Sequence, residues 1–277
     1  MSKIMVLFLG VFLSLCVMVT TWAGVSEMAN SLIKAATEKQ PTPVLSQSEP
    51  NLDPKTAYEV QKVYVQWKLA KDTVAGFKGG LTTETAQKMF GVNFPLAGIL
   101  NNSGKLGGSP VVGRTAFRGL LIETEIGFVI GQPIKQPVRD VQELQQKVSA
   151  VMPAIELPGS GFADMKVVKA VDLIAANVGA AKFIVGMSRS HQGVNLNEVN
   201  VNLFYNGQAL YKGKGVEAMG DQWKAALWIV NSVLEQGYKV EPGHILITGA
   251  LGKMVPGKPG QYVADYGDFG KISFEVK

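Results

Sequence analysis

Cysteine is all but missing from this 277-residue chain, and the one copy, Cys16, sits in an apolar N-terminal segment. If that segment is removed on export, no thiol remains, which excludes disulfides, thiolate metal sites and cysteine nucleophiles together. Histidine is nearly as scarce. His191 and His244 stand far apart without ligand spacing, which argues against a histidine-rich zinc centre. Charged residues make up 18% against 47% apolar, and the net charge of +5 is spread without a basic run. That composition suits a globular core and leaves no electrostatic footprint for nucleic acid. The chain has no internal repeat, and its glycine-rich stretches GKLGGSP and YKGKGVEAMG lack dinucleotide or phosphate-loop spacing.

What is present begins with an export signal. Lys3 supplies the positive end, Ile4 to Trp22 is uncharged, and Thr21-Trp22-Ala23 is a small-x-small cleavage site. Residues 1–23 are therefore expected to be a signal peptide and the rest exported, to the periplasm or beyond. An uncleaved segment would be long enough to anchor in a membrane; after cleavage no membrane attachment is expected. Leu15 before Cys16 is too large for a lipoprotein cleavage site. Residues 24–53 read as a helix over Ser26 to Lys39 and a polar linker, PTPVLSQSEP. Asp53 and Pro54 then open a second helix as N-cap and first-turn residue. Its apolar stripe is Ala57, Val60, Val63, Tyr64, Trp67 and Ala70, the period of a docked helix. From there residues 54–277 form the main domain. Most of the chain's 31 glycines fall here and mark turns between short strands at Ala181–Met187, Val199–Tyr205 and His244–Thr248. Three helices are expected near Val141–Ala150, Met165–Asn177 and Gly220–Gln236. The class is α+β, rich in β structure, with a helical N-terminal section.

Three glutamates interrupt runs that read as buried strands: Glu123 and Glu125 in LLIETEIGFVIG, and Glu156 in VMPAIELPG. Residues i and i+2 of a strand share a face, so Glu123 and Glu125 are neighbours. Like charges buried side by side are costly unless something positive compensates them. A hard divalent cation on oxygen ligands would do so, with Glu156 closing the site from a second strand. Two other readings stay open on the pattern alone. Thr124 could face the core while both glutamates face water, or Arg118 and a lysine could pair with them.

Beside these two glutamate segments stand three others. GFKGGLTTETAQKMFGV, ETEIGFVIG, PAIEL, AANVGAAKFIVG and ITGALGKMVPGKPG occur in that order across residues 55–277. Together they resemble, block by block, the 2-keto-4-pentenoate hydratase and 4-oxalocrotonate decarboxylase branch of the fumarylacetoacetate hydrolase superfamily. The resemblance implies a β-rich mixed sheet-roll and a Mg²⁺ or Mn²⁺ held by Glu123, Glu125 and Glu156. It places Lys78 on the family's active-site lysine, and Thr248, Gly249, Ala250 and Leu251 on the loop that borders the substrate.

The implied activity is that of a hydro-lyase adding water to a short 2-hydroxydienoic acid, with a small 2-oxo acid as partner. By the same analogy an assembly of identical copies is expected. A decarboxylase of the superfamily, or an exported binding protein that keeps the metal site without turnover, are the alternatives. The resemblance also disfavours hydrolysis, because the superfamily's hydrolases supply a histidine between the lysine segment and the E-x-E strand or nearby, and no histidine precedes His191 here. The chain departs from the family where Gly159 and Gly161 replace charged residues after PAIE, and where Ala176 replaces an aspartate. His244 replaces an acid before the last marked strand and reads as a turn residue.

Overall fold

The structure, a computed structural model, describes residues 23–159 and 161–277. Apart from Ala23, the expected export segment with Cys16 lies outside those residues. The helices are α1 (23–37), α2 (Leu45–Ser48), α3 (Pro54–Leu69), α4 (Glu84–Met89), α5 (Val141–Lys147), α6 (Ala170–Ala175) and α7 (Gln222–Glu235). The strands are β1 (Val74–Gly80), β2 (Leu96–Asn101), β3 (Lys105–Leu106), β4 (Val111–Val112), β5 (Leu121–Ile130), β6 (Val148–Leu157) and β7 (Lys182–Val185). They continue with β8 (Asn200–Tyr205), β9 (Gln208–Lys214), β10 (Ile245–Ile247), β11 (Val255–Pro256), β12 (Gly260–Asp265) and β13 (Lys271–Val276).

The larger sheet runs β2-β1-β10-β5-β6-β7-β3, with β11 added to β5, and the smaller runs β4-β13-β12-β8-β9. Within the larger sheet β1 and β10 are parallel, as are β3 and β7, while β5 is antiparallel to both β10 and β6. This is the expected α+β class with a mixed, curled sheet. Alternation sorts the side chains of the larger sheet into two sets. Phe77, Ile126, Phe128, Ile155, Ile184 and Leu246 join the main core, which also holds Ala225, Ile229 and Val233 of α7 and Leu203, Tyr262 and Phe274 of the smaller sheet. The opposite face carries a smaller apolar cluster, Met152, Ala154, Phe183, Ile245 and Ile247, and that face carries the glutamates. Both faces are buried, so Thr124 in the core and Glu125 opposite it are equally inaccessible.

Several expectations shift in register. The Asp53 carboxylate caps α3 by accepting from the Thr56 amide at 3.0 Å, as expected. The stripe of α3 is rotated, however. Ala57 and Val60 are buried with Gln61 and Val65, whereas Trp67 is 40% exposed. Gln61 is tolerated inside because its amide donates to the Ala97 and Ile174 carbonyls at 3.0 and 2.9 Å. The segment over 41–50 is no free linker: it carries α2, and the Ser46 amide and hydroxyl donate to the buried Asp172 carboxylate at 2.8 and 2.7 Å. Val25, Ala29, Leu32 and Leu45 share one apolar cluster with Ala57, Val60, Leu96 and Ile174, so residues 24–53 pack into the main domain. The helix expected over Met165–Asn177 shrinks to α6, and the one near Val141–Ala150 stops at Lys147, where β-branched Val148 begins β6.

Candidate metal centre and lysine

Register alone brings the carboxylates together. Glu123 of β5 lies directly opposite Glu156 of β6, and Glu125 follows two residues along on the same face. Lys78 of β1 pairs with Ile247 of β10, which pairs with Gly127 of β5, so the lysine emerges on the glutamate face two strands away. Gly127 puts no side chain between them. The Lys78 ammonium reaches Glu156 Oε2 at 2.6 Å. Lys78 is 3% exposed, Glu125 and Glu156 are 0% exposed, and Glu123 is half-buried at the open side of the group. Arg118, the other cation considered for these acids, is exposed and makes no ion pair with them among the described residues.

One ammonium faces three carboxylates, and the balance is visible in the acidities. Burial first, and then the Glu156 charge, push Glu123 up to about 7. Burial followed by Glu156 and Glu123 raises Glu125 well above the usual carboxylate range. Burial draws Lys78 towards neutrality, but Glu156, Glu123 and Glu125 outweigh it and hold the ammonium charged. Were all three carboxylates ionised, their charge would exceed what Lys78 cancels; without a further cation, burial and mutual repulsion favour protons on Glu123 and Glu125. One oxygen from each of Glu123, Glu125 and Glu156 lies within 4.8 Å of the others. Glu125 Oε1 and Glu156 Oε1 are buried without a hydrogen-bond partner. Unpartnered buried carboxylate oxygens converging at this spacing fit a hard divalent cation; an all-oxygen donor set suits Mg²⁺, Ca²⁺ or Mn²⁺ better than a thiophilic ion.

The glutamates are held from behind. The Tyr266 hydroxyl donates to the Ala154 carbonyl at 2.6 Å and accepts from the Glu125 amide at 3.2 Å. It stands where Glu125 and Ala154 face each other across the ladder; the neighbouring Pro153 has no amide to offer β5. Tyr211 receives the next amide, that of Thr124, at 3.3 Å. Thr124 is further tied to Leu251, its hydroxyl donating to the Leu251 carbonyl at 2.8 Å and its carbonyl accepting from the Leu251 amide at 2.7 Å. Two buried phenols and one loop thus set the position of the E-x-E strand.

The loop expected to border the substrate divides its labour. The Gly249 amide donates to Glu125 Oε2 at 2.6 Å. Gly249 adopts φ +108°, and a Cβ there would overlap Thr82 Oγ1, so only glycine fits. Thr248 is fully buried; its hydroxyl donates to the Ile126 carbonyl at 3.1 Å and lies 2.6 Å from Gln222 Oε1. Leu251 lies in the main core and Ala250 is half-buried. His244 is a turn residue as expected, its Nδ1 accepting from the Glu241 amide at 3.1 Å and its ring against Phe77. Gly159 and Ala176 leave no acid near β6 at those positions. Tyr211, Tyr266 and Gln222 have no recognisable local pattern, since each reaches the site from a distant element.

No family model matches the chain. It is 30% identical over 236 residues to the 2-keto-4-pentenoate hydratase of Paraburkholderia xenovorans strain LB400, covering 84% of this chain and 87% of that protein. The same identity and coverage relate it to 2-keto-4-pentenoate hydratase 3 of Pseudomonas putida. Among solved structures, 4-oxalocrotonate decarboxylase from Pseudomonas putida G7, complexed with magnesium and adipate, superposes with a TM-score of 0.86. That likeness covers 92% of this chain and 98% of the other at 23% identity, which bears on the fold alone.

Proposed function

The chain belongs to the 2-keto-4-pentenoate hydratase family, and from that premise we propose that it is a metal-dependent lyase adding water to a short 2-hydroxydienoic acid. The observation that carries the reading is the convergence of Glu123, Glu125 and Glu156 with two buried carboxylate oxygens left unpartnered. These three residues would hold a divalent cation, Mg²⁺ or Mn²⁺, with Glu123 on the accessible side. When bound, such an ion supplies Lewis acidity toward the carboxylate and keto oxygens of a 2-oxo acid.

The chain's own residues do the rest. Lys78 offers three N–H donors, of which one is spent on Glu156. Another is available to anchor a substrate oxygen or to deliver a proton to carbon as the dienol ketonises. The apolar neighbours Ile247, Phe183 and Met152 exclude bulk water from the carboxylate face, which strengthens every charge interaction there. The Gly249 amide holds Glu125 in one orientation.

Export is part of the same proposal, resting on the uncharged run Ile4 to Trp22 after Lys3. Among the described residues no helix is long and apolar enough to cross a membrane. The mature N-terminus of protein recovered from the extracytoplasmic fraction checks this part separately.

The direct test follows dienol ultraviolet absorbance with 2-hydroxypenta-2,4-dienoate and longer analogues, with Mg²⁺, with Mn²⁺ and in EDTA. Metal-dependent decay that disappears in Glu123→Ala is expected, and the product distinguishes hydration from loss of CO₂. Decay that persists in EDTA, or none at all with any analogue, would remove the lyase reading.

A further inference from the structure

Between α6 and β7 the backbone does something unusual. Asn177, Val178 and Gly179 take φ values of 57°, 51° and 67° in succession, one turn of left-handed helix. Glycine and asparagine visit that region readily, but a β-branched valine there is a genuine outlier. Strain of this kind persists only where the surroundings impose it, and here they can be named. The Asn177 side chain is fully buried; its Oδ1 accepts from the Ile99 amide at 2.8 Å and its Nδ2 donates to the Ile99 carbonyl at 2.9 Å. The Gly179 carbonyl accepts from the Gly159 amide at 3.0 Å. The middle residue's carbonyl is left pointing at Lys78, whose Nζ donates to it at 3.2 Å.

The opposing strands are cut to receive this turn. A Cβ on Gly98 of β2 would stand 3.1 Å from both the Asn177 carbonyl oxygen and Lys78 Cγ, and one on Gly80 of β1 would overlap Val178 Cγ1. Lysine, turn and two glycines therefore form one packed unit. We propose that Asn177–Gly179 is a positioning device for Lys78: the left-handed turn delivers the Val178 carbonyl to the ammonium. Glu156 alone would leave the long side chain free to swing about one contact. A second, uncharged acceptor fixes two of its three N–H directions and commits the third to the substrate side. Asn177 acts through the turn and Val178 through its backbone, so both are positioning residues. The role in turnover rests on the lyase reading; the grip on Lys78 does not.

Two variants loosen the turn differently. Asn177→Ala removes both bonds to Ile99. Gly179→Ala meets only ordinary contacts, with Gly159 and Pro158 at 3.7 to 3.8 Å, and so disturbs backbone preference alone. Asp53→Ala, which removes the distant α3 cap, serves as a destabilised control. Each full-length protein is assayed for kcat and KM on the dienoate, for the Mg²⁺-induced rise in melting temperature, and for low-dose acetylation of Lys78 read by peptide mass spectrometry. Both turn variants are expected to lose about 10- to 100-fold in kcat, with KM and the metal-induced rise retained and Lys78 acetylated several-fold faster. The control should match wild type in kcat and labelling. Should Asn177→Ala fail to fold, Gly179→Ala decides. Unchanged kcat and labelling in a folded turn variant would overturn the proposal, as would the same losses in the control. If wild type lacks turnover, the lyase reading fails, and the labelling alone decides whether the turn holds Lys78.

Discussion

Glu123→Gln keeps the shape of the side chain and removes one charge from the three-carboxylate face. Burial first, then the Glu156 charge, raise this acid from 4.5 to about 7. A raised carboxylate favours the protonated native state, so its penalty is absent below the ordinary value, grows as pH rises through about 7 and is complete above it. At about 1.4 kcal/mol per unit, holding Glu123 ionised at pH 8 costs the metal-free fold roughly 3 kcal/mol. A domain of this size melts about 2–4 °C higher per kcal/mol, so the metal-free variant should melt roughly 6–12 °C above wild type at pH 8. At pH 4 the two should nearly coincide. Mg²⁺ should act in the opposite sense. A free concentration about 100 times Kd stabilises wild type by about 2.7 kcal/mol, and the glutamine variant should lose most of that rise. The assay is thermal melting followed by circular dichroism, with EDTA or Mg²⁺, at both pH values. A variant that melts at or below wild type in EDTA at pH 8, or keeps the full Mg²⁺ response, would refute the argument that these carboxylates are destabilised until a cation joins them.

Two further substitutions probe the lysine and the support behind the strand. Lys78→Met leaves the buried Glu156 carboxylate without its cation, so the metal-free protein should lose roughly 3–5 kcal/mol at pH 8. Mg²⁺ should still bind that variant and raise its melting temperature, while turnover falls about 10²- to 10⁴-fold; wild-type turnover would return Lys78 to a purely structural role. Tyr266→Phe strips the Ala154 carbonyl of a donor and the Glu125 amide of an acceptor, costing about 1–3 kcal/mol. Weaker Mg²⁺ binding should accompany that loss, as measured by titration calorimetry. An unchanged Kd would show that the phenol supports the fold without orienting Glu125.

The sequence by itself marked the three glutamates, while the register of β5 against β6 and the burial of both sheet faces decided that they converge. Charged residues in runs of Ile, Val and Leu are an anomaly that needs no partner to be seen, and the period of two puts Glu123 beside Glu125 before any fold is known. It also determined the cap at Asp53 and the shortage of thiols and imidazoles that narrows the chemistry to oxygen ligands. The stripe of α3 was legible only in part, since nothing local shows that Gln61 would find two free carbonyls and turn inward. Lys78 had no such local signature: beside two glycines it reads as a solvated turn residue, and family resemblance alone marked it. The tertiary structure decided its place, because the parallel pairing of β1 with β10 joins segments far apart in sequence. The phenols of Tyr211 and Tyr266 and the left-handed turn at Asn177–Gly179 likewise follow from long-range contacts. Periodicity and propensity are properties of neighbours along the chain, whereas strand order, register across a sheet and the partner of a buried polar atom depend on which distant segments meet.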